Sequence, residues 1–159
     1  MTGFFKGFDP VFDEDSVLLI LGSFPSVKSR QEGFYYGNPQ NRFWRTVCGY
    51  FGEDVPASIE GKKDFLKRRN IALWDVVTSC EIDGSKDNSI RNEQVANLPA
   101  LLDKTNIKKI FCNGGKSYEL LESEFPQLLN LTQRLPSTSP ANPRFSAEAW
   151  RQAFSEVFL

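Results

Sequence analysis

The sequence predicts an α/β fold, a three-layer α/β/α sandwich around a central four-stranded parallel sheet. Three observations predict it. Four apolar runs of strand length punctuate the chain, at residues 17–21, 71–77, 108–112 and 129–135. Stretches with helical spacing of apolar residues lie between them. No repeat, low-complexity tract or shift of composition marks a linker, so the 159 residues read as one domain, 1–159.

The elements follow in order. Residues 17–21 are apolar throughout, as a strand covered on both faces requires. Residues 41–51 place Phe43, Trp44, Val47, Cys48 and Phe51 on one helical stripe. Residues 61–69 give a short basic helix, and 71–77 the second strand. Residues 92–104 carry Val95, Leu98, Leu101 and Leu102 at helical spacing, with Pro99 as a shortening or a kink. Residues 108–112 form the third strand, 116–125 a helix, 129–135 the fourth strand and 147–159 the last helix. Strands alternating with helices pair in parallel, with right-handed crossovers. A ligand then sits beyond the carboxyl ends of the strands, at the switch point of the sheet.

Composition narrows the chemistry. Apolar content of 40% and charged content of 25% are those of an ordinary globular protein. No apolar stretch approaches the length that spans a bilayer, so no membrane partner is expected. The start lacks a basic stretch followed by a long apolar one, which argues against a signal peptide. Cys48, Cys80 and Cys112 are scattered, as free thiols in a reducing cytoplasm would be, and the cytoplasm is the expected location. There is no histidine. That excludes a Ser-His-Asp triad, a Cys-His pair and a histidine-ligated metal, and the cysteines are too few for a structural zinc site. No metal and no cofactor are expected. The net charge of -1 argues mildly against nucleic acid, although a local basic cluster can serve while another face is acidic.

Two loop segments carry the remaining information. The first is Gly22-Ser23-Phe24-Pro25-Ser26, continued by Tyr35-Tyr36-Gly37-Asn38-Pro39-Gln40-Asn41-Arg42-Phe43-Trp44. Gly22 permits a sharp turn and a close approach to a ligand, and Pro25 stiffens it. It reads equally as a plain strand-to-helix turn. Tyr35-Tyr36 beside Gly37 offer a flat wall for a base, or one tyrosine is core and the other surface. Asn41 is either a helix cap or an amide in the cleft that can donate and accept. The second segment is Leu135-Pro136-Ser137-Thr138-Ser139-Pro140-Ala141-Asn142-Pro143. Its hydroxyls and amides can bind phosphate without a large charge, and its prolines make it stiff. An ordinary Ser/Pro loop has the same composition. Asp75 interrupts an apolar run, where an acid is expensive unless it is paired, with Arg42 or Arg45, or functional. Asn113 precedes a glycine-rich helix start and is a cap or a base-reading amide.

Together, the two segments resemble the uracil-DNA glycosylase superfamily. In the mismatch-specific branch the first motif reads Gly-x-Asn-Pro-Gly, then Pro-x-Asn-x-Phe-Trp. Here Phe24 stands where that branch has its catalytic asparagine. A Gly-x-Phe-Pro start with Tyr35-Tyr36 and Pro39-Gln40-Asn41-Arg42-Phe43-Trp44 is similar to the hypoxanthine-DNA glycosylase (DNA-deoxyinosine glycosylase) branch. There the key asparagine is the one that corresponds to Asn41.

The resemblance implies a monofunctional base-excision enzyme, acting as a monomer on damaged DNA, that flips out a deaminated base and releases it with water. Hypoxanthine is the first expectation; uracil or mismatched thymine, or a non-catalytic nucleotide-binding module, are the alternatives. It implies Asn41 as catalytic and Gly22, Ser23, Phe24, Pro25, Tyr36, Asp75 and Asn113 around the base. The superfamily places a base-reading amide where Asp75 stands, so an acid suggests a different base edge or a held water. It implies DNA contacts from Lys28, from Ser85 and Lys86 in a Gly-Ser-Lys-Asp stretch, and from Ser137, Thr138, Ser139, Pro140 and Ala141. Pro140 and Ala141 would enter the gap left by the extruded nucleotide.

Overall fold

The computed structural model describes residues 2–158. The chain runs β1 (Thr2–Lys6), β2 (Leu18–Gly22), α1 (Val27–Glu32), α2 (Phe43–Tyr50), α3 (Ile59–Arg68), β3 (Ile71–Asp75), β4 (Val77–Asp83), β5 (Arg91–Val95), α4 (Leu98–Asp103), β6 (Lys109–Asn113), α5 (Gly115–Glu124), β7 (Thr132–Leu135) and α6 (Ala147–Val157). Short 3-10 turns cover Asp87–Ser89 and Pro126–Leu131.

The central sheet is four-stranded and parallel, in the order β3-β2-β6-β7. Alternation along its strands divides the core. Leu18 and Ile20 of β2 face one cluster with Phe43, Trp44, Phe65, Trp150 and Phe154, which α2, α3 and α6 supply. Leu19 and Leu21 face the other, with Leu98, Leu101 and Leu121 from α4 and α5. Helices thus cover both faces, which explains strands without a polar alternation. The chain leaves β2 toward β3 on one side and later reaches β6 on the other. The switch point lies between β2 and β6, where their carboxyl ends diverge.

A second sheet departs from the expectation. β1, β4 and β5 form a three-stranded antiparallel sheet in the order β1-β4-β5. The apolar run 71–77 is therefore not one strand. It breaks after Asp75, where Val76 and Val77 donate to Gly22 O and Ser23 O at 2.9 and 3.0 Å, and Val77 opens β4. The helix expected over 92–104 is also divided. Residues 91–95 are β5, and α4 begins after the Asn97 cap with Pro99 in its first turn, where a missing N–H costs nothing. The strand expected over 129–135 keeps only its second half. Helix α1 was not expected; Ser26 caps its start and Gly33, at φ 82°, ends it. The last helix ends at Val157, and Leu159, the end expected for it, lies outside the described residues.

Phe43 ties the site to the core. It is fully buried, stacks on Tyr36 with ring centroids 4.1 Å apart, and meets the edges of Trp44 and Trp150. Phe43→Ala should cost about 3–5 kcal/mol in a denaturant titration, because the ring leaves a cavity that its rigid aromatic neighbours cannot fill. A loss below about 1 kcal/mol would show that the site is not carried by this stack.

Candidate active site

The carboxyl ends of all four parallel strands open into one cavity of about 300 Å³. Gly22 to Ser26 follow β2 and form one wall, with Asp75 from the end of β3 beside them. Tyr36 and Asn41 come from the segment before α2. Asn113 ends β6, and Ser137 to Ala141 follow β7 as the opposite wall. Ser85 and Asp87 reach in from the connection after β4. Every residue expected around the base lines this cavity, as do Ser85 and the loop 137–141. Lys28 and Lys86 do not: the first pairs with Glu32 at 3.6 Å on α1, the second with Asp83 at 3.4 Å. Asp87, Asn38 and Ser29 line the cavity without being among the expected site residues, and Tyr35, read with Tyr36 as a flat wall, lines it too. For Asp87 the available signal was its place at the end of the Asp83-Gly84-Ser85-Lys86-Asp87 stretch.

Asn41 is held by its oxygen. Its Oδ1 accepts the Phe43 N–H at 2.9 Å in an Asx turn just ahead of α2, whose N-cap position is Arg42, and this fixes the amide plane. Among the described residues its Nδ2 has no partner, so both hydrogens remain available at the cavity wall. The helix-cap alternative for Asn41 does not hold, since Arg42 occupies the N-cap; Asn41 sits one residue earlier and lines the cavity.

The next residue clamps the far wall. Arg42 donates its backbone N–H to Thr138 O at 3.1 Å and its Nε to the same oxygen at 3.4 Å. Its Nη2 donates to Ser139 O and to Asn142 O, the latter at 2.9 Å, while the guanidinium lies over the Phe145 ring. Asn113 grips the same loop from β6, donating Nδ2–H to Thr138 Oγ1 and accepting Thr138 N–H, both at 2.9 Å. Asn113 is therefore not a helix cap; Gly114, at φ 95°, occupies that position. Ser137 Oγ and Ser139 Oγ accept the N–H groups of Ser139 and Ala141. Each hydroxyl keeps its own proton to donate outward.

The floor is polar and buried. Asp75 is 5% exposed, and its Oδ2 has no hydrogen-bond partner. The pairing with Arg42 or Arg45 that the sequence allowed is absent, because Arg42 is committed to the loop carbonyls. Burial first, and the nearby Asp87 charge second, push the Asp75 carboxyl up to about 7, against a pull downward from the Gly22 backbone. The Tyr36 hydroxyl is also buried; Asn113 lies near it, but the geometry falls short of a hydrogen bond. Burial and the Asp75 charge raise its pKa, so it stays a neutral phenol. Tyr36 sits at φ 54°, a left-handed conformation costly for an aromatic residue. Gly22 is obligatory here: a Cβ would stand 2.5 Å from Asp75 Oδ1 and 3.1 Å from the Tyr36 hydroxyl. Asp87 accepts the Ser23 hydroxyl at 2.9 Å, and burial raises its pKa as well.

The model of the uracil DNA glycosylase superfamily matches residues 10–157. A hypoxanthine DNA glycosylase of Methanosarcina barkeri is 35% identical over 159 aligned residues, covering 96% of this chain and 97% of that protein. A hypoxanthine DNA glycosylase of Methanosarcina acetivorans is 37% identical over 142, covering 89% and 90%. The solution NMR structure of a Methanosarcina acetivorans protein, described as a candidate uracil DNA glycosylase, superposes with a TM-score of 0.82 at 36% identity. It covers 98% of this chain and 99% of that one.

Arg42→Ala should free the loop 138–142 without unfolding the protein. Losing charge-assisted bonds to buried carbonyls costs on the order of 2 kcal/mol locally, or roughly 30-fold faster amide exchange there. Arg42→Lys should not restore protection, since an ammonium cannot reproduce the fork. Exchange unchanged in both variants would mean that the bonds from Asn113, Asn142, Trp150 and the Arg42 backbone suffice to fix the loop.

Proposed function

The chain belongs to the uracil DNA glycosylase superfamily, and from that premise we propose that it releases hypoxanthine from deoxyinosine in DNA. The observation that carries the reading is Asn41, locked through its oxygen and presenting a free amide NH2 to a cavity the size of a small flat ligand. Two relatives aligned over 96% and 89% of the chain are named for hypoxanthine. Phe24, in place of the asparagine of the mismatch-specific motif, speaks against uracil as the main substrate.

A base reaches the cavity by leaving the stack, which costs a few kcal/mol and least at a mispair. The hydroxyls of Ser137 and Ser139 and the stiff Pro140–Ala141 tip hold the strand it left. The C1′–N9 bond then breaks with its electron pair moving to the base. Positive charge grows on the sugar, near the DNA phosphates, and negative charge on the purine. Asn41 Nδ2 donates to the departing purine, and Ser23 and Phe24 line the same cavity. Water adds to C1′ and gives up a proton. Asp87 has a second carboxylate oxygen beyond the one bound to Ser23, and that oxygen is the acceptor for this water. The products are the free base and an abasic site. No histidine, metal or imine is required.

Asn41→Ala should lower single-turnover release of hypoxanthine by roughly 10²–10³-fold while binding to inosine-containing duplex stays within about threefold, since the lost bond matters most when charge develops. An Asn41→Ala enzyme with full activity would sink the assignment. Asp87→Asn should slow release by roughly 10²-fold with intact duplex affinity. If affinity alone falls, Asp87 acts by holding Ser23 rather than by holding water. Parallel assays with uracil, xanthine and thymine substrates set the base preference; release of uracil faster than hypoxanthine would reverse the substrate reading.

A further inference from the structure

Two polar atoms at the cavity floor, Asp75 Oδ2 and the Tyr36 hydroxyl, are cut off from solvent and have no partner. Buried polar groups are almost always satisfied, so an orphaned pair on one wall demands an explanation. The two groups flank Gly22, and a Cβ there would come within 3.1 Å of each. They come from different elements, β3 and the segment before α2, and Tyr36 is held in a strained conformation and stacked on Phe43 to bring its hydroxyl there. Strain that positions an orphaned group points to a ligand that completes it.

The chemistry of the ligand follows from its orientation. N9 of an extruded purine stays attached to the sugar at the cavity mouth. The atoms farthest from N9, namely N1 and C6, therefore reach the floor. In a 6-oxopurine that edge carries an N1–H donor beside an O6 acceptor. As the C1′–N9 bond breaks, the incoming electron pair delocalises over the ring and onto O6. A donor aimed at O6 stabilises that charge; an anion there opposes it.

We propose that Asp75 and Tyr36 together bind the N1–H/O6 edge of the flipped base, with Asp75 acting as a neutral carboxylic acid whose Oδ2–H donates to O6 while the Tyr36 oxygen accepts N1–H. The inference rests on the hypoxanthine reading and deepens it. The proton stays on Asp75 throughout, so the step moves only the electron pair of the glycosidic bond. A neutral acid is available near neutral pH because burial and the Asp87 charge raise the Asp75 carboxyl to about 7. The titratable groups around it are Tyr35 and Tyr36 from the segment before α2, Asp87 from the turn after β4, and Cys112 of β6 beside Tyr36. Both phenols and the thiol are raised and stay neutral, and Lys116 faces Asp87. No cation therefore holds Asp75 ionised. The sign follows: the donor is present below the folded pKa and is lost as pH rises through about 7.

The test is single-turnover release of hypoxanthine from deoxyinosine and of purine from deoxynebularine, which lacks both O6 and N1–H, across acidic to alkaline pH. Wild type should lose hypoxanthine release by about tenfold per pH unit above about pH 7. Asp75→Asn should flatten that limb, because an amide donates at every pH. Asp75→Ala and Tyr36→Phe should lower hypoxanthine release by roughly 10²-fold and leave purine release within about threefold. The near-isosteric Asp75→Asn and Tyr36→Phe carry the test if Asp75→Ala does not fold. An Asp75→Asn enzyme with the wild-type pH profile, or variants that lose both bases equally, overturns the inference while the hypoxanthine reading stands. A wild-type enzyme that releases no hypoxanthine overturns both.

Discussion

The site depends on the Arg42 guanidinium and the carbonyls it holds. Arg42 follows Asn41 directly and donates to Thr138, Ser139 and Asn142 across the cavity. Without that clamp the loop after β7 would be tethered at Asn113 and by its own hydroxyl turns. With it, the residue proposed to meet the base and the loop proposed to grip the backbone move as one body. This couples two segments almost a hundred residues apart in sequence through one planar cation. A flexible point charge would satisfy one carbonyl; the fork satisfies several at fixed angles. The use of Arg42 here also explains the state of Asp75. The cation that could have neutralised that carboxyl is turned away from it, and the acid is left to burial.

Much of this arrangement was legible in the sequence, and the reasons are particular. Strands covered on both faces leave continuous apolar runs, so residues 18–22 and 109–113 could be placed within a residue. A parallel sheet sends its loops to one end, so placing the strands placed Gly22, Asp75, Asn113 and the 137–141 loop together. The second sheet was not legible. β1 has two phenylalanines, Phe4 and Phe5, that remain exposed, and β5 is polar, so neither carries the burial pattern that marks a strand. Their pairing depends on β4, whose own start was hidden inside the run 71–77. Lys28 and Lys86 were expected to contact DNA rather than the base, and they lie outside the cavity, each beside a carboxylate on its own segment.

The second sheet nonetheless shapes the site. β4 leads into the turn that carries Ser85 and Asp87 back to the cavity, and Ser85 accepts the N–H of Val27 at the start of α1. Phe24 is buried against Val77, Cys80 and Ile82 of this layer. The residue that replaces the usual asparagine of the motif is thus a packing residue, and it welds the wall after β2 to the antiparallel sheet. A polar side chain at position 24 would have to be satisfied inside that cluster or lost from it.

In a chain without histidine carboxyls are natural candidates for acid and base, and the two cavity acids differ in their surroundings. Asp75 has no hydrogen-bonded side chain beside it and lies buried in the floor. Asp87 is less buried, accepts a hydroxyl from Ser23 and faces Lys116. Both environments raise the carboxyl, but the counteracting influences are present only around Asp87 beyond a backbone contact. The Asp87 charge adds to burial in raising Asp75, while the Ser23 bond and Lys116 oppose the rise at Asp87. The two like residues thus sit in unlike surroundings, as the roles proposed for them, water acceptor and base donor, require. That division follows from where β3 and the turn after β4 end, and it needs no residue type beyond those already in the fold.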